Sequence, residues 1–197
     1  MLDHDGKILR ESLLIVDYVN EAFPGASLYP ASPFDKYLSR LIVSEADSTL
    51  IGPFYTALKN QDRSKDAEYS AKVLGGIKKL NDWLLKTNPK GTFFFGDDLT
   101  YADIAMAPFA ERFVLVEEYR QIQVPDTEEY RRFLTWRNAV LAHPDVASTL
   151  VPKEDLIAGY VDYSLGVENG KLAPGKAESS FKRFFVKTPS QVVFTKL

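Results

Sequence analysis

Apolar residues recur every three or four positions through most of the first 165 residues, the spacing of helices that bury one face. Leu13, Val16, Tyr18, Val19, Ala22 and Phe23 form the first such run, with Ser12 placed to cap it and Pro24-Gly25 to stop it. Ser32-Pro33 reads as a cap followed by proline at the first helical position, opening a helix through Tyr37, Leu38, Leu41 and Ile42. Gly52-Pro53 is expected to bend or break that helix. The next helix is expected over Ser64–Leu85, with Val73, Ile77, Leu80 and Leu84 on one face. Gly75-Gly76 lies inside it, and the unbroken face argues for close packing against bare backbone there. Thr92-Phe93-Phe94-Phe95-Gly96 fits either a short strand or an extended connection.

The clearest signal is Leu99-Thr100-Tyr101-Ala102-Asp103-Ile104. Thr100 is an N-cap, Asp103 completes a variant capping box, and Leu99 can staple onto Ile104. The helix that follows reaches Tyr119 and is apolar nearly all round to Ala110, so it should be central, with Leu99, Ile104, Ala107, Phe133 and Trp136 buried. As a cap alone, Asp103 is worth about 1 kcal/mol. A further helix is expected after Asp126, with Glu129 at capping-box spacing, and His143-Pro144 stops it. A last amphipathic stretch runs from Pro152 through Leu156, Ile157 and Tyr160.

Composition narrows the chemistry. The 197 residues are 45% hydrophobic and 26% charged, an ordinary globular mixture. No cysteine is present, which removes disulfides, thiolate nucleophiles and zinc–sulfur sites, and two histidines, His4 and His143, are too few for a histidine metal centre. Both histidines are expected to be structural or solvated. The longest apolar run, Ile104–Ala110, is too short to span a membrane, and the acidic start is unlike a secretory signal. A net charge of −3 argues against nucleic acid as a partner. A cytoplasmic protein is the default expectation.

Charge is uneven. Residues 1–165 carry 18 Lys and Arg against 25 Asp and Glu, whereas residues 166–197 carry six against two. That basic segment also holds Phe181, Phe184, Phe185, Val192, Val193 and Phe194, and is expected to dock on the body or on a partner.

Catalytic templates are missing: no phosphate-binding glycine loop, zinc-helix motif or nucleophile elbow occurs. Asp97-Asp98, Glu117-Glu118 and Glu128-Glu129 are expected to be solvated or capping groups. Phe93 to Phe95, Phe109, Phe113, Tyr130, Phe133 and Trp136 fit core packing better than a ligand cleft. Glu11-Ser12 is different. A serine hydroxyl and unpaired backbone N–H groups at a helix start can hold a carboxylate or phosphate, although a simple cap explains them as well.

These segments together resemble a glutathione transferase. Asp5-Gly6-Lys7-Ile8-Leu9-Arg10-Glu11-Ser12 is similar to the last strand of the family's thioredoxin-like domain and the Glu-Ser pair opening its final helix. Phe23-Pro24 and Leu28-Tyr29-Pro30 resemble the linker, and Leu99–Ile104 the family's capping box and staple. Ile104-Ala105-Met106-Ala107-Pro108-Phe109-Ala110-Glu111-Arg112-Phe113 looks closest to the lambda and omega classes, which are thiol transferases and dehydroascorbate reductases.

The resemblance implies a mainly α fold: a helical bundle like the family's C-terminal domain, preceded by a strand-plus-helix remnant of a thioredoxin-like domain. Residues 1–25 would be the remnant, 26–33 the linker, 34–165 the all-α domain and 166–197 a basic tail. Glu11 and Ser12 would hold the γ-glutamyl carboxylate of glutathione, the implied cosubstrate, and Thr100 and Asp103 would serve folding. No catalytic residue and no metal ligand carries over, because the reactive cysteine of those classes and the cis-proline strand have no counterpart. The expectation is a family member that is inactive or incomplete as this chain, with glutathione and a protein partner or second copy as binding partners. The alternative is a non-catalytic interaction module built on the helical bundle.

Overall fold

The computed structural model describes residues 1–25 and 27–166, so the expected docking of the basic segment lies outside the described residues. The chain opens on a hairpin, not on a single strand. Strand β1 (Leu2–His4) pairs antiparallel with β2 (Lys7–Leu9), placing Leu2 opposite Leu9 and His4 opposite Lys7. Asp5 and Gly6 turn the chain with φ of 53° and 76°, and the Gly6 N–H donates to Asp3 Oδ1 at 2.9 Å. Two consecutive positive φ angles match the right-handed twist of a tight hairpin, and Asp-Gly is a pair that tolerates them.

Helix α1 (Ser12–Ala22) follows and ends before Phe23-Pro24. Its amphipathic face, Leu13 and Val16, packs on the core only partly. His4 is structural, as expected: Nδ1 lies 2.5 Å from the Tyr18 hydroxyl and the ring packs on Phe23.

Helix α2 (Pro33–Ala46) begins as the sequence predicts, with Ser32 Oγ accepting from the Asp35 N–H. It passes through a wide turn at Asp47–Ile51 into α3 (Gly52–Lys59). The interruption expected from Gly52-Pro53 is therefore a widening, closed by the Gly52 N–H on Asp47 O, five residues back. Helix α4 (Asp66–Thr87) is continuous across both glycines. Only Gly76 meets a neighbour closely; beside Gly75 there is open space.

Residues 92–96 form neither a strand nor a simple extended connection. The Phe93 N–H donates to Gly96 O, and Asn88 Nδ2 donates to both Phe93 O and Gly96 O, which closes a turn. Helix α5 (Tyr101–Arg120) packs against α2, α3 and α6 (Arg131–Ala142). It is the centre of the core, burying Met106, Ala107, Ala110, Phe113, Leu115 and Val116. Of the residues expected inside, Ala107, Phe133 and Trp136 are buried, but Leu99 and Ile104 are half-buried. Both line clefts on the surface of the bundle, which is why their burial is incomplete.

Helix α6 starts later than the Asp126–Glu129 spacing suggests, with Tyr130 as its cap. Glu128 instead pairs with Arg131 at 2.9 Å and Glu129 with Lys78 at 3.4 Å, so neither acid is left to cap. Short helices α7 (Pro144–Ala147), α8 (Lys153–Gly159) and α9 (Val161–Ser164) are the last elements among the described residues. Arg120 ties the end to the middle. Its guanidinium donates to the carbonyls of Ala57, Leu58, Tyr119 and Ser164, and burial pushes its pKa down. No helix among the described residues is long and apolar enough to cross a membrane.

Candidate functional site

The site begins with the way α5 is anchored. Thr100 and Asp103 form a capping box at its start. Asp103 Oδ2 accepts from the Thr100 N–H at 3.0 Å and from Thr100 Oγ1 at 2.7 Å. Oδ1 reaches further, accepting from Trp136 Nε1 at 2.8 Å and from the Phe94 N–H at 3.2 Å. One carboxylate thus joins the start of α5, the turn at residues 92–96 and helix α6. Asp103 is fully buried, and that burial raises its pKa against the pull of its hydrogen bonds. Its reach is greater than a cap alone would have.

The Tyr101 N–H donates to Leu28 O at 2.7 Å, fixing the incoming loop. The Tyr101 ring stacks on Tyr29, with centroids 4.9 Å apart. Tyr29 is buried, and its hydroxyl donates to Asp17 Oδ1. Arg40 completes the group, donating to Asp17 Oδ1 at 3.1 Å and to the Tyr29 hydroxyl at 3.3 Å. Burial, then the Asp17 carboxylate, pushes the Tyr29 phenol well above its ordinary value. Helix α1 is held to α2 by this polar group in addition to its weak apolar face.

Between these anchors lies a cleft of about 940 Å³, lined by α1, α2, the wide turn, α3 and α5. Ser12, Leu13 and Val16 form one wall, and Ile104, Pro108, Phe109 and Arg112 face it from α5. Tyr55 of α3 closes one part of it. Burial, with the neighbouring Tyr160, pushes the Tyr55 phenol up to about 12, partly offset by the charge of Arg112. Of the aromatic residues weighed as cleft or core, Phe109 lines the cleft, whereas Phe93, Phe94, Phe113, Tyr130, Phe133 and Trp136 are buried in the core.

Glu11 and Ser12 stand at the rim. Ser12 is not the cap expected from the sequence; it is the first residue of α1, and Glu11 occupies the cap position with φ 63° and no side-chain cap bond. A glutamate at positive φ is strained, and such strain gathers where a backbone must present particular groups. Here it delivers Ser12, exposed, to the start of the helix and the edge of the cleft. The first N–H groups of α1 precede its first internal bond, Ile15 N–H to Glu11 O at 2.9 Å.

Sequence reasoning did not find the Asp17–Tyr29–Arg40 group, Tyr55 or Arg112. Asp17 did carry a signal, as an acid between the apolar positions Val16 and Tyr18. The Asp and Glu doublets, expected to be solvated or capping, are partly engaged otherwise: Asp97 accepts from Thr92, and half-buried Glu117 pairs with Arg137 at 3.0 Å. Among the described residues no group of His, Asp and Glu is arranged to hold a metal ion.

The described residues thus form a helical bundle centred on a capped α5, with a hairpin and one helix packed beside it over an open cleft. The family model for the glutathione S-transferase C-terminal domain matches residues 66–139. A probable glutathione S-transferase of Nicotiana tabacum is 28% identical over 177 residues, covering 88% of this chain and 75% of the relative. Glutathione S-transferase L1 of Arabidopsis thaliana is 32% identical over 124 residues, 62% of this chain and 48% of the relative. Among solved structures, glutathione transferase Omega 3C of Trametes versicolor superposes with TM-score 0.67 at 25% identity, over 77% of this chain and 66% of that one. The Tau class enzyme of mango, Mangifera indica, gives TM-score 0.72 at 22% identity, over 78% and 70%. The chain is thus similar over residues 66–139 to the C-terminal domain of glutathione S-transferases, and over most of its length to relatives that bear that name.

Proposed function

We propose that this chain is a glutathione-binding member of the glutathione transferase family, of its thiol-transfer and reductase lineage and lambda- or omega-like in class. The Ile104–Phe113 segment and the likeness to the Trametes Omega 3C structure support the class. Residues 1–25 are the end of a thioredoxin-like domain, 26–33 the linker and 34–165 the helical domain.

One observation carries the ligand assignment: the strained turn at Glu11 that presents Ser12 at the start of α1 on the cleft's rim. The γ-glutamyl carboxylate of glutathione accepts from the Ser12 hydroxyl and the first N–H groups of α1, and the positive end of the helix dipole favours its charge. A rice transferase at 21% identity, solved in complex with glutathione, shares the fold. The chain itself has no cysteine to place at this site. The described residues bind and orient; they supply no group that lowers the thiol's pKa. The adjoining cleft takes the second substrate.

A single carboxylate anchor must offset several kcal/mol of lost rigid-body freedom, so glutathione binds this chain weakly, with Kd of about 1 mM or higher. Titration followed by amide NMR should shift the Ser12 and Leu13 signals. The dipeptide Cys-Gly, which lacks the γ-glutamyl carboxylate, should leave them in place, and Ser12→Ala should weaken the glutathione response several-fold. Equal shifts with Cys-Gly, or none with glutathione, would refute the assignment.

A further inference from the structure

Arg112 is the unexplained charge of the cleft. It projects from the middle of α5 among Phe109, Ile104 and Tyr55, and it is half-buried. Its Nε donates to the Tyr160 hydroxyl at 3.3 Å and its Nη1 to Pro108 O at 2.9 Å. Both acceptors are neutral, and among the described residues no carboxylate lies within ion-pair distance of it. The other arginine of the cleft, Arg40, contrasts with this: it is paired with Asp17 at 3.1 Å. Asp17 is therefore already committed, and Asp47, the second acid of the lining, is exposed to water. The Phe109 ring lies 5.9 Å from the guanidinium, and Tyr55 is close enough for the arginine's charge to lower its pKa.

A cation held by neutral oxygens between aromatic rings is a receptor for a planar anion. Its position is fixed before any ligand arrives, so little conformational freedom is lost on pairing. The guanidinium has five N–H donors, and the two bonds above leave others for a carboxylate. The apolar wall of Leu13, Val16, Ile104 and Phe109 suits the body of the same ligand.

We propose that the cleft selects an aromatic carboxylate as the second ligand, its ring against Phe109 and Ile104 and its carboxylate on Arg112. The proposal specifies the occupant of the cleft assigned above to the second substrate. Its test contains no glutathione, so either assignment can fail alone.

The experiment is calorimetry on the full chain with 2-naphthoate and with 2-naphthamide, an uncharged ligand of nearly the same shape. A charge-assisted bond in place of a neutral one should make naphthoate bind about tenfold tighter. Arg112→Gln should remove that preference while leaving naphthamide affinity unchanged. Arg112→Lys, which keeps the charge, should retain part of the preference. Added salt should reduce it in the wild type. Equal affinity for the two ligands in the wild type, no binding of either, or a preference that survives in Arg112→Gln would each overturn the proposal. Because the first comparison needs no variant, the proposal stays open to refutation even if Arg112→Gln misfolds.

Discussion

Asp103→Ala should lower the stability of the chain by about 3–4 kcal/mol, several times the value expected for a helix cap. The difference lies in what the carboxylate does beyond capping. Removing it leaves the Thr100 and Phe94 N–H groups and Trp136 Nε1 as buried donors without their acceptor. Each such group costs about 1–3 kcal/mol when nothing replaces the bond, though relaxation keeps the sum below that of the parts. In a urea titration this would appear as a lower midpoint, and on heating as a fall in Tm of about 10 °C. A loss near 1 kcal/mol would mean that the bonds from Trp136 and Phe94 contribute nothing.

The same residue gives a pH signature. Burial raises the folded-state pKa of Asp103 above the ordinary carboxylate value near 3.8. The folded state then holds the proton more tightly than the unfolded chain. Its contribution is fully present below the unfolded pKa and is lost as pH rises through the raised folded value. Asp103→Asn cannot titrate. The stability difference between wild type and this variant should accordingly shift against the wild type as pH rises through that window. Other carboxylates titrate equally in both proteins and cancel.

The part played by Asp103 was half visible in the sequence. Thr100 and Asp103 are three residues apart, and a capping box is a local pattern. Trp136 is 33 residues further on, and only the packing of α6 on α5 brings its indole to the carboxylate. The same division runs through the fold. Starts and interruptions written in adjacent residues, Ser32-Pro33 and Gly52-Pro53, appear where expected. The start expected at Asp126 does not, because Glu128 and Glu129 find cationic partners, one of them Lys78 on α4. The hairpin was missed although Asp5-Gly6 is a turn pair, since β1 has only three residues to show alternation. Ser12 was visible as a helix start, but the positive φ of Glu11 that exposes it is not a property any residue type announces. Tyr55, Asp17 and Arg112 come from three different helices, and no spacing in the chain marks them as neighbours.

The two glycines of α4 give an equally large effect with its own control. A Cβ on Gly76 would lie 2.3 Å from the carbonyl oxygen of Thr49 and 2.8 Å from the Cα of Leu50. Those atoms belong to backbone in the wide turn between α2 and α3, so no rotamer change can move them aside. The turn has a cause in the sequence. Pro53 has no N–H to offer the Thr49 carbonyl four residues back, the chain widens there, and Thr49 and Leu50 come to rest on α4. Gly76→Ala must therefore push two helical segments apart and should cost about 3 kcal/mol, at the upper end of what overpacking does. One residue away, a Cβ on Gly75 meets nothing within 4 Å. Gly75→Ala should stabilise the helix by about 0.5–1 kcal/mol through propensity alone. Midpoints of urea unfolding for the two variants should thus move in opposite directions from the wild type. If both move down by the same amount, or Gly76→Ala is neutral, the close approach of α4 to the wide turn is not holding the bundle together.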